Sequence, residues 1–197
     1  MLFSDIILVT LMGSGCVAAS PLGTNDGPPD FFDFFKPSKV GLYNTGTGSI
    51  ALAPAGVVSK FPSDGGQDTT TLLTFTYPPE VAGKKCFFAF YLDSTASVSG
   101  SGKIDLFSSL GPAPDFASGW PPGNQRDKHI GRLSACLEDF ARWDATYDSY
   151  LTEETDCKAP GTVEAYELVG VYDDDFVSWD PSMAGLEIHY IYLMVES

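Results

Sequence analysis

Basic residues are scarce in this chain. Eleven Lys and Arg stand against 26 Asp and Glu, a net charge of −15 over 197 residues. Nucleic acid and anionic membrane both demand a basic footprint, so a polyanion binder is excluded. Histidine is scarcer still, with His129 and His189 alone. No Gly-x-Ser-x-Gly elbow is present, so a Ser-His-Asp triad has no local support. No Cys-x-x-Cys pair exists, which removes the usual basis for a zinc site or thioredoxin-like chemistry. The glycine-rich Asn44 to Gly48 is not followed by Gly-Lys-Ser/Thr, so it is no phosphate loop. There is no Asn-x-Ser/Thr sequon and no apolar run of membrane-spanning length.

What is present is apolar and aromatic. Hydrophobic residues make up 44% and aromatic residues 13%, too much for wholesale disorder. Aromatic residues favour strands, and the 20 Gly and 14 Pro supply turns, which points to one all-β domain. Thr71 to Tyr77 is β-branched and aromatic and stops at Pro78-Pro79. Cys86 to Leu92 is almost continuously apolar, as a sandwich-core strand would be. Val98 to Phe107 alternates around glycines, and Gly185 to Leu193 alternates as a closing strand. Gly161 to Val171 alternates with an apparent slip between Ala165 and Tyr166. Asn124 to Leu151 reads two ways. Ile130, Leu133, Leu137, Phe140 and Ala141 fit a helical stripe, while Gly131 favours a strand over His129 to Ala135, a turn near Trp143 and a strand over Tyr147 to Leu151.

The N-terminal residues 1–19 read as a secretory signal: an apolar Ile6 to Met12, a break at Gly13 to Gly15, and small residues at Val17 to Ala19 before Ser20. Its removal takes Asp5 and brings the net charge to −14. Residues 20–57 read as a leader with a Phe-rich segment and a hairpin over Lys39 to Val58. The Phe31 to Phe35 run is expected to dock on the core as a short strand, because exposing four Phe invites aggregation. A sandwich domain over 58–192 and a tail over 193–197 complete the chain. The mature sequence keeps Cys86, Cys136 and Cys157, an odd count that suggests one bridge and one spare thiol, with three pairings open.

Four segments form an ordered set: YPPEVAGKKCFFAFYL from Tyr77 to Leu92, SGSGKIDLF from Ser99 to Phe107, the Cys157-x-x-x-Gly161-Thr162-Val163-x-x-Tyr166-Glu167-Leu168 pattern, and Asp180-Pro181-Ser182-x-x-Gly185-Leu186-x-Ile188. Together they resemble the fungal secreted family called the ubiquitin-3-binding protein But-two C-terminal domain, over roughly Val58 to Tyr192. The resemblance implies an extracellular antiparallel β-sandwich, jelly-roll-like, with at most a short helix in 124–151. It implies that Cys86 and Cys157 are bridged. It carries over no catalytic residue. Its name implies a ubiquitin-like activating enzyme as a partner. Asp115 to Arg126, and the long Ala135 to Asp156 segment, depart from the pattern as insertions or altered loops.

Two groups remain as candidate sites. Trp120, Trp143 and Trp179 are expected in loops beside polar residues, where amphipathic aromatics can stack on a sugar or a protein partner. Asp173, Asp174, Asp175 and Asp180 form an acidic stretch that reads first as a solvated turn, and otherwise as hard oxygen ligands for calcium. A calcium cofactor is therefore a secondary expectation. His189 is expected opposite in parity to Leu186 and Ile188, meeting Glu187 only across a bulge. The sequence thus predicts a secreted, non-enzymatic recognition protein of the cell surface, wall or host interface, with a glycan or a cell-surface protein as its partner. The alternative is a glycan hydrolase using a carboxylate pair.

Overall fold

The structure, a computed structural model, describes residues 32–120 and 125–191. The signal expected in 1–19, the leader residues before 32 and the tail over 193–197 lie outside the described residues. Among the described residues no helix is long and apolar enough to cross a membrane.

Among the described residues sixteen strands follow one another, interrupted by two short 3-10 turns. The first group is β1 (Phe32–Phe35), β2 (Lys39–Asn44), β3 (Ser49–Leu52), β4 (Gly56–Lys60) and β5 (Thr69–Thr76). Next come β6 (Lys85–Leu92), β7 (Ser97–Gly100), β8 (Lys103–Ser109), β9 (Ser118–Gly119) and β10 (Arg126–Ser134). The last group is β11 (Asp139–Phe140), β12 (Arg142–Thr146), β13 (Thr155–Asp156), β14 (Val163–Gly170), β15 (Asp175–Trp179) and β16 (Gly185–Ile191). A small sheet runs β1-β16-β6-β11, with β13 also on β6. A large sheet runs β12-β10-β8-β14-β5-β2-β3-β9, and β4, β15 and β7 extend it from β5. Every pairing is antiparallel, as short turns between consecutive strands require.

The fold is the expected all-β sandwich. Strict alternation on β6 turns Cys86, Phe88, Phe90 and Leu92 inward, and β16 adds Leu186, Ile188 and Tyr190. They meet Leu73 and Phe75 of β5, Ile104 and Leu106 of β8 and Leu168 of β14 in one core. The predicted hairpin is β2 and β3, with Tyr43 opposite Ile50. Phe35 packs on the core from β1, as a docked Phe-rich strand should, while Phe34 stays on the outer face. Residue 58 lies inside β4, and β1 to β3 hydrogen-bond into both sheets. The hairpin placed in the leader is therefore part of the sandwich.

Of the 124–151 segment, the described residues 125–151 hold strands and no helix. Register shifts on either side of His129 let Ile130 and Leu133 both face the core although they are three residues apart. A bulge thereby imitates helical spacing. The strand begins earlier than expected, at Arg126, and Trp143 lies in β12 rather than in a turn. Tyr147 to Leu151 is a turn, anchored by the Tyr147 and Asp148 N–H groups on the Ile130 carbonyl. In β14 the register with β5 is continuous, so the expected slip is absent. On the large sheet, residues 110–120 bring Ala113 and Trp120 onto Tyr43 of β2, Ile50 of β3 and Leu72 of β5 in a second small core.

The Cys86–Cys157 disulfide is present, across the β6–β13 pairing. Cys136 is disulfide-bonded as well, and the described residues hold no free cysteine. The expectation of a spare thiol concerned the chain without residues 1–19. The odd count followed from the processed chain, whereas the whole chain has four cysteines.

Candidate functional site: a carboxylate held by three phenols

β14 points Glu164, Tyr166 and Leu168 to the same side of the large sheet, as residues two apart must. Leu168 is deep in the core, and Glu164 sits at the open end of the sandwich. Tyr77 arrives there because β5 ends one residue earlier, its N–H bonded to the Thr162 carbonyl. Tyr150 arrives from the turn after β12. The three hydroxyls converge on one oxygen, Glu164 Oε2, at 2.7 Å from Tyr77, 2.8 Å from Tyr150 and 2.9 Å from Tyr166. The Tyr77 and Tyr150 oxygens are also 2.8 Å apart.

Burial, with the Glu164 carboxylate adding to it, pushes all three phenols well above their ordinary range. They are therefore protonated at neutral pH and serve Glu164 as donors. Among the described residues Oε1 has no hydrogen-bond partner.

Glu164 lines a cleft of about 420 Å³. Asp127 and Lys128 come from β10, Asp148 and Tyr150 from the 147–151 turn, and Lys158 from the segment just past the disulfide. The Lys158 ammonium lies 4.7 Å over the Tyr150 ring. Among the described residues, none of Asp127, Asp148, Glu164, Lys128 and Lys158 is engaged in an ion pair. The cleft thus presents both signs of charge, a fixed carboxylate and an aromatic edge. A groove of about 720 Å³ between β7–β8 and residues 134–139 is larger, with glycine and serine on the β7–β8 side and Glu138 and Asp139 on the other, and it has no aromatic residue. Its lysine, Lys103, is taken by Asp144 and Ser134.

The phenols give a spectroscopic prediction. An acid whose pKa is raised by folding stays protonated while the unfolded chain ionises, so stability falls as pH rises above about 10. In a titration followed by tyrosinate absorbance, Tyr77, Tyr150 and Tyr166 should ionise only together with unfolding.

The residues singled out from sequence lie elsewhere and apart. Trp179 is buried in the main core at the end of β15, edge-on to Phe90, and not in a loop. A Cβ on Gly56 or Gly185 would come within 2.1 or 2.2 Å of its indole, so two glycines make its slot. Trp143 packs half-buried against the main core from β12, also not in a loop. Trp120 alone follows the expectation of a loop, at the second core beside Tyr43. The acidic stretch does not converge either. Asp175 is fully buried and accepts from the Ser101 N–H and hydroxyl and from the N–H groups of Val171 and Tyr172. Asp173 and Asp174 are exposed. Hydrogen bonds from Ser182, hydroxyl first and backbone second, hold the Asp180 carboxyl below its usual range. Among the described residues no three His, Cys, Asp or Glu side chains are grouped to hold a metal ion.

Both histidines are wedged among rings, and neither lines the cleft. His129 stacks on Phe107 at 4.4 Å and against Tyr147 at 4.5 Å. His189 meets Glu187 at 3.0 Å, and β16 needs no bulge for this because the two share a parity.

No protein-family model matches the sequence, and no curated protein matches it.

Proposed function

We propose that the protein is a secreted recognition module that binds a hydroxyl-rich ligand, a glycan of a cell surface or wall, in the Glu164 cleft. The observation that carries this reading is the Glu164 carboxylate, fixed through Oε2 by three phenols and open through Oε1. Sugar recognition needs fixed acceptors and donors beside an aromatic edge, and preorganised groups lose little entropy on binding. Asp127 and Asp148 add acceptors, and Lys128 and Lys158 add donors. The resemblance to the But-two family supports an extracellular setting.

A glycan array and a polysaccharide pull-down test it. Binding is expected for the wild type and a loss of at least tenfold for Glu164→Ala, with a melting curve showing that the variant is folded. Two blank results for the wild type overturn the reading. Asp127, Asp148 and Glu164 on one cleft also favour a second reading, carboxylate-based glycan hydrolysis. Release of new reducing ends by the wild type and not by Glu164→Gln would establish it in place of simple binding.

A further inference from the structure

We infer that the ligand of this cleft carries a protonated amine, so that its class is an amino sugar without the N-acetyl group. The inference rests on the glycan-binding reading above and sharpens it. Glu164 receives three hydroxyl donors, all neutral, because burial keeps the phenols protonated. Neutral donors orient a carboxylate without cancelling its charge. No cation of the described residues pairs with it. Lys158 places its ammonium over the Tyr150 ring and makes no ion pair with Glu164. The cleft therefore holds three carboxylates and two ammoniums, one charge short of neutrality, with a directed oxygen at its inner end. An ammonium on the ligand meets Oε1 as a charge-assisted donor, the stronger kind of hydrogen bond, and completes the charge balance. The hydroxyls around it are left for Asp127, Asp148 and Lys128. An N-acetyl group in the same place offers a single neutral donor and a bulky acyl arm.

The test compares β-1,4-linked glucosamine oligosaccharides with fully N-acetylated oligosaccharides of the same length, and with a neutral β-glucan, by calorimetry. Wild type and Glu164→Gln are both used. Glutamine keeps one carbonyl oxygen for the phenols and turns an uncharged NH2 toward the cleft, so the fold is retained while charge and polarity change. The amine-bearing oligomer is expected to bind at least tenfold more tightly than its acetylated form, and to weaken as pH rises through the amine's own titration. Glu164→Gln is expected to weaken the amine-bearing oligomer at least tenfold and the acetylated one less than threefold. Equal affinity for all three sugars, or equal sensitivity of all to Glu164→Gln, overturns the amine inference and leaves glycan binding standing. Failure of every sugar to bind the wild type overturns glycan binding itself, and the amine inference with it.

Discussion

Replacing Cys86 and Cys157 together by alanine should cost roughly 4 kcal/mol of stability on the chain-entropy account of a closed loop this long. The bridge spans 71 positions and ties the start of β6 to the segment just past β13. Unfolded chains lose more freedom to such a bridge than the folded state does, whose ends already meet through the β6–β13 pairing and the Cys157 N–H on the Lys84 carbonyl. For a domain of this size that corresponds to a melting point lower by roughly 10 °C. Substitution is the right probe, since it removes this bridge and leaves Cys136 untouched. A loss under 1 kcal/mol in urea titration would mean that the β6–β13 pairing alone sets the geometry. Lys158 follows Cys157 directly, so glycan affinity should fall in the same variant even where it remains folded.

Asp175→Ala should be nearly as damaging, by roughly 3 kcal/mol or more, because it strands several buried donors at once. One carboxylate closes two turns. Its Oδ1 takes Ser101 between β7 and β8, and its Oδ2 takes the N–H groups of Val171 and Tyr172 between β14 and β15. The packing around it is tight: a Cβ at Gly100 would lie 1.6 Å from the Asp174 carbonyl oxygen, at a φ of 75° that glycine tolerates. Asp175→Asn should fare little better, since an amide in that place turns either a donor or a lost charge toward existing donors. Asp173→Asn and Asp174→Asn, both exposed, should stay within about 0.5 kcal/mol. The contrast separates a structural carboxylate from a calcium loop. A calcium loop would make all three matter and would respond to chelator in the same denaturation experiment.

Alternation made much of the fold legible. β6 and β8 each bury one face, so period two shows in their residues, β16 alternates in residue type although both its faces are largely buried, and the Gly-rich turn marked the β2–β3 hairpin. β14 was harder because it is buried on both faces from Ala165 onward, which erases the alternation and suggested a slip that does not exist. β10 was harder because its bulge spaces Ile130 and Leu133 like a helix. The tryptophans were misplaced by their polar neighbours. Ser178 and Asp180 flank a Trp179 whose slot is cut by Gly185, six residues on, and by the distant Gly56, and its immediate neighbours do not announce that. The site was the least legible part. Glu164 and Tyr166 stand two apart and their common face was readable. Tyr77 and Tyr150 lie 87 and 14 residues from Glu164, and only the sheet order brings their hydroxyls to it.

Residue-resolved mapping of a bound oligosaccharide by amide chemical shifts tests the central claim most directly. The account predicts that titration with a glucosamine oligosaccharide perturbs Asp127, Lys128, Asp148, Tyr150, Lys158 and Glu164 together, with a common saturation curve. Saturable shifts confined to the Trp120 edge or to the Asp173–Asp180 stretch, with the Glu164 cleft silent, would contradict it.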